Sequence, residues 1–212
     1  MAKDANISMP VIRRLPRYYR FLYDLKENGV TRISSRELSQ RMGLTASQIR
    51  QDLNCFGGFG QQGYGYIVDQ LYEEIGRILG MDHPTKAILL GVGNLGKAVV
   101  NHMNFSARGF RLVGLFDGNT ALKGQTLNGL PIRPNNELED FCRREQPEMA
   151  ILCIPKEAAP HLVDRLVTCG IKAFWNFSHY DIAYDHPEAI VENVHMGDSL
   201  MTLSYLMNEK DT

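Results

Sequence analysis

The sharpest chemical pattern in the chain is Gly91-Val92-Gly93-Asn94-Leu95-Gly96, a G-x-G-x-x-G spacing placed directly after the apolar run Lys86-Ala87-Ile88-Leu89-Leu90. Between a strand and a helix each glycine of such a loop has a separate task. Gly91 turns the chain, Gly93 lets the backbone approach a pyrophosphate, and Gly96 lets helix and strand pack closely. The helix that starts there, with Lys97-Ala98-Val99-Val100, points free N–H groups and a favourable dipole at phosphate. About twenty positions further on, the next apolar run, Arg111-Leu112-Val113-Gly114-Leu115-Phe116, ends at Asp117. A carboxylate there accepts hydrogen bonds from an adenosine ribose and repels a 2′-phosphate, which favours NAD(H) over NADP(H). Pro155, just past the expected strand Met149–Ile154, stands on the edge where such sheets bind ligands; a plain helix-opening proline is the alternative reading. The candidate cofactor residues are therefore Gly91, Val92, Gly93, Asn94, Leu95, Gly96, Asp117 and Pro155.

A second constellation lies nearer the N-terminus. Ser47, Gln48, Arg50, Gln51 and Asn54 share one side of a short expected helix that opens at Thr45. These side-chain types reach base edges or phosphates from the major groove. The glycine and aromatic stretch Phe56–Tyr66 follows, with five glycines and four aromatics. Glycines permit a tight hairpin, and a flexible linker has no use for the aromatics, so the stretch reads as a wing. Between Ser8 and Leu53 nine basic residues stand against four acidic ones, although the whole chain carries a net charge of −1. A basic end on an otherwise acidic protein is the footprint of a polyanion bound by one domain. The candidate DNA-contacting residues are Arg17, Thr45, Ser47, Gln48, Arg50, Gln51, Asn54, Phe59 and Tyr64.

The elements that must position these groups follow from local signals. Ser34 and Glu37 form an S-x-x-E capping box, Leu38 and Met42 give its helix an apolar stripe, and Gly43 ends it. Thr45 and Gln48 repeat the pattern as T-x-x-Q, with Ala46, Ile49 and Leu53 facing inward. Upstream, Ile12, Leu15, Tyr19 and Leu22 suggest a supporting helix in which Pro16 marks a kink or a start. Downstream, Val68, Leu71, Tyr72, Ile75, Ile78 and Leu79 fit one face of a closing helix. Beyond it, strands at 86–90, 111–116, 149–154 and 172–177, separated by helical stretches, predict a doubly wound parallel sheet. The expected fold class is α/β: a winged helix-turn-helix domain over 1–80, a linker at 81–84, a Rossmann domain over 85–196 and a C-terminal helix over 197–212.

Apolar residues make up 44% of the chain and charged residues 22%, an ordinary globular composition. No apolar run approaches the roughly 18 residues a membrane span needs. The start MAKDANISMP has no basic stretch followed by an apolar segment, so no signal peptide is expected and the cytoplasm is the expected location. Cys55, Cys142, Cys153 and Cys169 are scattered without a C-x-x-C pair, which fits reduced thiols better than a disulfide framework or a zinc site.

In this order, R-E-L-S, the glycine-aromatic wing, G-V-G-N-L-G, F-D, I-P-K-E, N-F-S and V-E-N-V resemble the Rex family of redox-sensing transcriptional repressors over nearly the whole chain. The resemblance implies a homodimer that exchanges its C-terminal helix, Leu200 to Met207 here, and binds a palindromic double-stranded operator through Arg17 to Phe56. It implies that NAD⁺ is compatible with DNA binding and that NADH favours release. It also implies a polar network at Arg20, His102 and His195, where the family carries Arg, Tyr and Asp; both histidines are departures. With the acidic partner of Arg20 missing, the expectation is a weaker or pH-dependent discrimination between NADH and NAD⁺. The competing expectation is that the switch is carried elsewhere.

A dehydrogenase would share the glycine loop, but only about 34 residues follow the sheet, and His161, His179, His186 and His195 form no recognisable catalytic set. No enzyme activity is expected. A CoA-binding module is a further rival, against which the ribose-directed Asp117 argues. A Rossmann domain serving only as a dimerisation platform is a third.

Overall fold

The computed structural model describes residues 7–61 and 64–210, in two compact units divided between His83 and Pro84. Gln62 and Gly63 of the expected wing lie outside the described residues, as do the first six and last two positions of the chain.

In the first unit the helices are α1 (Met9–Glu27), α2 (Ser35–Met42), α3 (Ala46–Asn54) and α4 (Val68–Ile78). A small sheet of β1 (Arg32–Ile33), β2 (Gly60–Gln61) and β3 (Gly65–Ile67) pairs antiparallel in the order β1-β3-β2. The helix-turn-helix signals act as the sequence predicts. Ser34 Oγ accepts from Glu37 N at 3.1 Å, Glu37 accepts from Ser34 N at 2.8 Å, and Gly43 ends α2 in the left-handed region at φ +62°. Thr45 completes only half of its box: its hydroxyl accepts from Gln48 N at 3.1 Å, while the Gln48 side chain turns forward to Asp52. Pro16 neither starts nor ends α1, which begins at Met9 and runs through it. The buried stripe of α1 is Val11, Leu15, Tyr18, Leu22 and Leu25, and the expected Ile12 and Tyr19 pack beside it, Tyr19 stacked on Tyr72 with ring centres 4.3 Å apart.

The wing is real, and its aromatics divide their labour. Tyr66 is buried, Phe56 and Phe59 pack against the core, and Tyr64 is 70% exposed at the turn. Gly65, at φ +71°, passes so close to β1 that a Cβ there would lie 2.6 Å from the carbonyl oxygen of Ile33.

The second unit is a seven-stranded sheet in the order β10-β9-β8-β4-β5-β7-β6. Its strands are β4 (Thr85–Leu90), β5 (Phe110–Asp117), β6 (Thr126–Leu127), β7 (Leu130–Pro134), β8 (Met149–Leu152), β9 (Ala173–Asn176) and β10 (Ile190–Asn193). All neighbours run parallel except β6 and β7. The helices are α5 (Asn94–His102), α6 (Leu138–Glu145), α7 (Ala159–Thr168), the short α8 (Ile182–Asp185) and α9 (Met196–Lys210). Alternation along β4 builds two cores. Ile88 and Leu90 face α6 and α7 with Phe116, Phe141 and Leu166, whereas Ala87 and Leu89 face the opposite side with Val100 of α5 and Ile151. Chain connections lead from β4 to β5 on one side and on to β8 on the other, so the carboxyl ends of β4, β5 and β8 meet at the topological switch point where such sheets bind ligands.

Candidate nucleic-acid and dinucleotide sites

On the first unit, Ser47, Arg50, Gln51 and Asn54 are exposed along α3, and Arg17 is exposed on α1 with its guanidinium 5.8 Å from the centre of the Phe21 ring. Arg50 donates to Ser35 Oγ at 3.1 Å, which rests the side chain across the start of α2. Gln48 is placed differently: it is half-buried, and its amide donates to Asp52 Oδ1 at 3.0 Å, which braces α3. Thr45 is occupied as a helix cap. Phe59 anchors the wing, leaving Tyr64 as its exposed aromatic.

What holds α3 in place was not visible in the spacing. Asp52 is fully buried and clasped in a fork by Arg14, Nε at 2.6 Å and Nη2 at 2.8 Å, with Tyr18 donating to it at 2.9 Å. Burial pushes the Asp52 carboxyl up, but the hydrogen bonds from Arg14, Gln48 and Tyr18 and the charge of Arg14 outweigh it and hold the group below its usual value. Tyr18 is pushed up by burial and by its bond to Asp52, so it stays a donor. The signal was available: Asp52 falls three residues after Ile49 and next to Leu53, on the apolar side of α3. A charge on that face needs a buried partner.

On the second unit the three loop glycines separate into two kinds. Gly91 sits at φ +92°, and a Cβ on it would lie 2.3 Å from the Cys153 carbonyl oxygen; one on Gly96 would lie 1.9 Å from the Gly91 carbonyl oxygen. The protein itself forbids side chains at both. Around Gly93, by contrast, a Cβ would meet no atom within 4 Å. Gly93 is the N-cap of α5 and offers no side chain to its first N–H groups. An open cradle above an uncapped helix start is the arrangement that a pyrophosphate needs, so these residues fit a dinucleotide. Val92 is buried, Gly93 and Asn94 are exposed, and Leu95 is half-buried.

Asp117 closes β5 beside this loop, as its spacing predicts, but with an added task. Its Oδ2 accepts from Val92 N at 2.6 Å and its Oδ1 from Asn119 N at 2.7 Å, fastening the glycine loop to the second strand. Each carboxylate oxygen keeps a further lone pair for a ribose hydroxyl. Pro155 is exposed beyond β8 and precedes a single 3₁₀ turn, Lys156–Ala158, which leads into α7.

The three candidate switch residues are dispersed along the chain. Arg20 is exposed on α1 of the first unit; His102 is exposed at the last position of α5; His195 is half-buried directly before α9. The ring neighbour of His195 is His179, edge to face with centroids 4.8 Å apart. Here sequence reasoning missed a corner that N-F-S and V-E-N-V encode. Buried Asn176 donates to Tyr180 O and to Asn193 Oδ1, both at 2.8 Å, and accepts from Ser178 N and Oγ at 3.0 and 2.6 Å. The bonds tie the end of β10 to the turn that carries His179, itself held at φ +60°.

Fold and sites together define a class: a winged-helix DNA-binding unit joined to a dinucleotide-type Rossmann unit. Residues 6–54 match a family described as "Putative DNA-binding protein N-terminus", and residues 82–180 match "CoA binding domain", the Rossmann variant weighed above. The chain is 52% identical over 211 residues to the redox-sensing transcriptional repressor Rex of Thermoanaerobacter pseudethanolicus, covering 100% of this chain and 94% of the relative. To the Rex of Clostridioides difficile it is 51% identical over 210 residues, covering 99% of both. Among solved structures, RSP in complex with β-NAD⁺ and operator DNA superposes with a TM-score of 0.89 at 51% identity, over 97% of this chain and 94% of that one. RSP in complex with β-NADH gives 0.88 at 49% identity, over 97% and 96%. The chain belongs to the Rex family of redox-sensing transcriptional repressors.

Proposed function

We propose that this protein is a redox-sensing repressor that binds palindromic operator DNA through its winged helix and is released from it by NADH, and that it is not an enzyme. The observation that carries the reading is Gly93, the one glycine of the loop that no atom of the protein requires. Its best use is close approach of a phosphate, as the relatives solved with NAD⁺ and with NADH support. When bound, NAD(H) supplies a nicotinamide that is charged in the oxidised form and neutral in the reduced form. The chain's own part is to hold the pyrophosphate on the N–H groups of α5 and the ribose at Asp117. Phosphate contacts from Arg17 and the basic face supply most of the DNA affinity, and Ser47, Arg50, Gln51 and Asn54 read the groove, with Tyr64 of the wing beside them.

The protein acts as a homodimer in the cytoplasm. Leu200, Met201, Leu203, Tyr205, Leu206 and Met207 are each 50% exposed or more along α9, an apolar surface that exchange with a second copy would cover. No helix among the described residues is long and apolar enough to cross a membrane. A near-complete switch needs about 5.5 kcal/mol of differential affinity between the two states. Histidine at positions 102 and 195 makes a pH-dependent NADH response the expectation to test. Gel-shift binding to a palindromic operator at fixed salt, titrated separately with NAD⁺ and NADH at pH 6 and pH 8, tests both points. Release by NADH alone supports the repressor reading; equal effects of the two dinucleotides overturn it, and a response identical at both pH values removes the histidines from the switch.

A further inference from the structure

Cys142 and Cys169 are far apart in sequence, but the fold puts them in one place. Cys142 is buried on the inner face of α6, and Cys169 is the half-buried residue that ends α7. Both pack in the apolar cluster between these helices and the sheet. Arg165 of α7 grips the Glu139 carboxylate of α6 with Nε at 2.6 Å and Nη2 at 2.8 Å, and also donates to the Asn135 carbonyl at 2.6 Å. Cys142 follows Glu139 by three residues and Cys169 follows Arg165 by four, one helical turn in each case. Helices clamped side by side by the ion pair therefore bring the two thiols into the same packed cluster one turn further on. Beside them opens a groove of about 630 Å³, lined by both cysteines with Arg143, Gln146, Glu148 and Lys172.

We propose that Cys142 and Cys169 are a modification site, oxidised by peroxide to a reversible disulfide within one chain. Cys169 is the attacking sulfur, because it is the less buried of the two. Its thiolate attacks one peroxide oxygen, the O–O bond breaks and hydroxide leaves, giving a sulfenic acid. The Cys142 sulfur then attacks that sulfur, the S–S bond forms, and the departing hydroxide takes the Cys142 proton. Two thiols and one hydrogen peroxide give one disulfide and two waters. Burial pushes the Cys169 thiol up and Glu139 adds to this, while the neighbouring Cys142 and the charges of Arg165 and Arg143 oppose it. Cys142 is pushed up to about 12 by burial and by Cys169. The thiolate is thus scarce at neutral pH, and the pair answers sustained oxidant, with a rate that rises about tenfold per pH unit below the thiol pKa.

The test is hydrogen peroxide treatment of the full-length protein at pH 7, 8 and 9, alkylation with N-ethylmaleimide in denaturant, and peptide mass mapping. The expected result is a peptide carrying Cys142 linked to one carrying Cys169, formed about tenfold faster per pH unit and reversed by dithiothreitol, while half-buried Cys153 remains alkylatable. Full alkylation of both cysteines after treatment overturns the proposal, as does a sulfinic acid on Cys169 with Cys142 still free, or a link between two chains. Cys142→Ser provides a second readout: with no resolving thiol, Cys169 must accumulate sulfenic or sulfinic acid, and its failure to do so removes it as the attacking group.

Discussion

The helix α3 and the loop after β4 are each proposed to meet phosphate, and they are prepared for it by opposite means. Along α3 the contact groups are side chains, Ser47, Arg50, Gln51 and Asn54, and the helix that carries them is held by a buried charge, Asp52, in the fork of Arg14. In the loop the contact surface is backbone, made available by side chains that are missing. A basic face loses function when atoms are removed, and a glycine cradle loses it when atoms are added. Within each region, neighbouring residues divide into those the fold requires, Asp52 and Gly96, and those left for a ligand, Gln51 and Gly93.

The contrast can be broken experimentally. Arg14→Ala should have the largest effect, because it leaves the Asp52 carboxylate buried without its cation; a loss of about 3–5 kcal/mol is expected in urea unfolding. A near-wild-type value would mean that Asp52 finds water. Gly96→Ala places a methyl group 1.9 Å from the Gly91 carbonyl oxygen, and neither backbone can yield cheaply. A stability loss of about 3 kcal/mol follows, read as a lowered melting temperature. Gly93→Val should leave melting unchanged yet weaken NADH binding on the order of 100-fold, about 2.7 kcal/mol; unchanged affinity in a folded variant would sink the cradle. Arg50→Ala should weaken operator binding about tenfold at fixed salt, with NADH affinity unaltered. If operator affinity is retained, Arg50 serves only Ser35.

The smallest effect is expected in acid. Arg165 holds the Glu139 carboxyl at about 2, against an ordinary 4.5. A carboxylate with a lowered folded-state pKa adds stability above its unfolded value and loses it as pH falls through the folded one. The stability difference between wild type and Glu139→Gln should therefore be present at pH 6 and vanish by about pH 2. Glu139 is 44% exposed, so solvent screening keeps that difference small.

Much of this architecture is legible in the sequence. Ser34, Gly43 and Thr45 act within one helical turn of where they stand, and the glycine loop announces itself between its strand and helix. Less legible are β7 and β10. The first carries Pro131 and Pro134, which argue against a strand, and the second is a four-residue edge strand with exposed Glu192 and Asn193, so neither shows an apolar run. Tyr18 also turns inward, drawn by a partner 34 positions away, and joins the expected Ile12, Leu15, Tyr19 and Leu22 in the same core.

By itself the sequence determined the order and type of the main elements, the two phosphate-directed segments and the family, because caps, turns and alternation operate over a few neighbouring residues. Only the tertiary structure decided that Arg14 and Asp52 are spent on each other, that Gln48 braces α3, that Gly93 alone of the three loop glycines is open, and that Cys142 and Cys169 line one groove. Those outcomes depend on contacts between distant positions, which packing creates and local pattern does not contain.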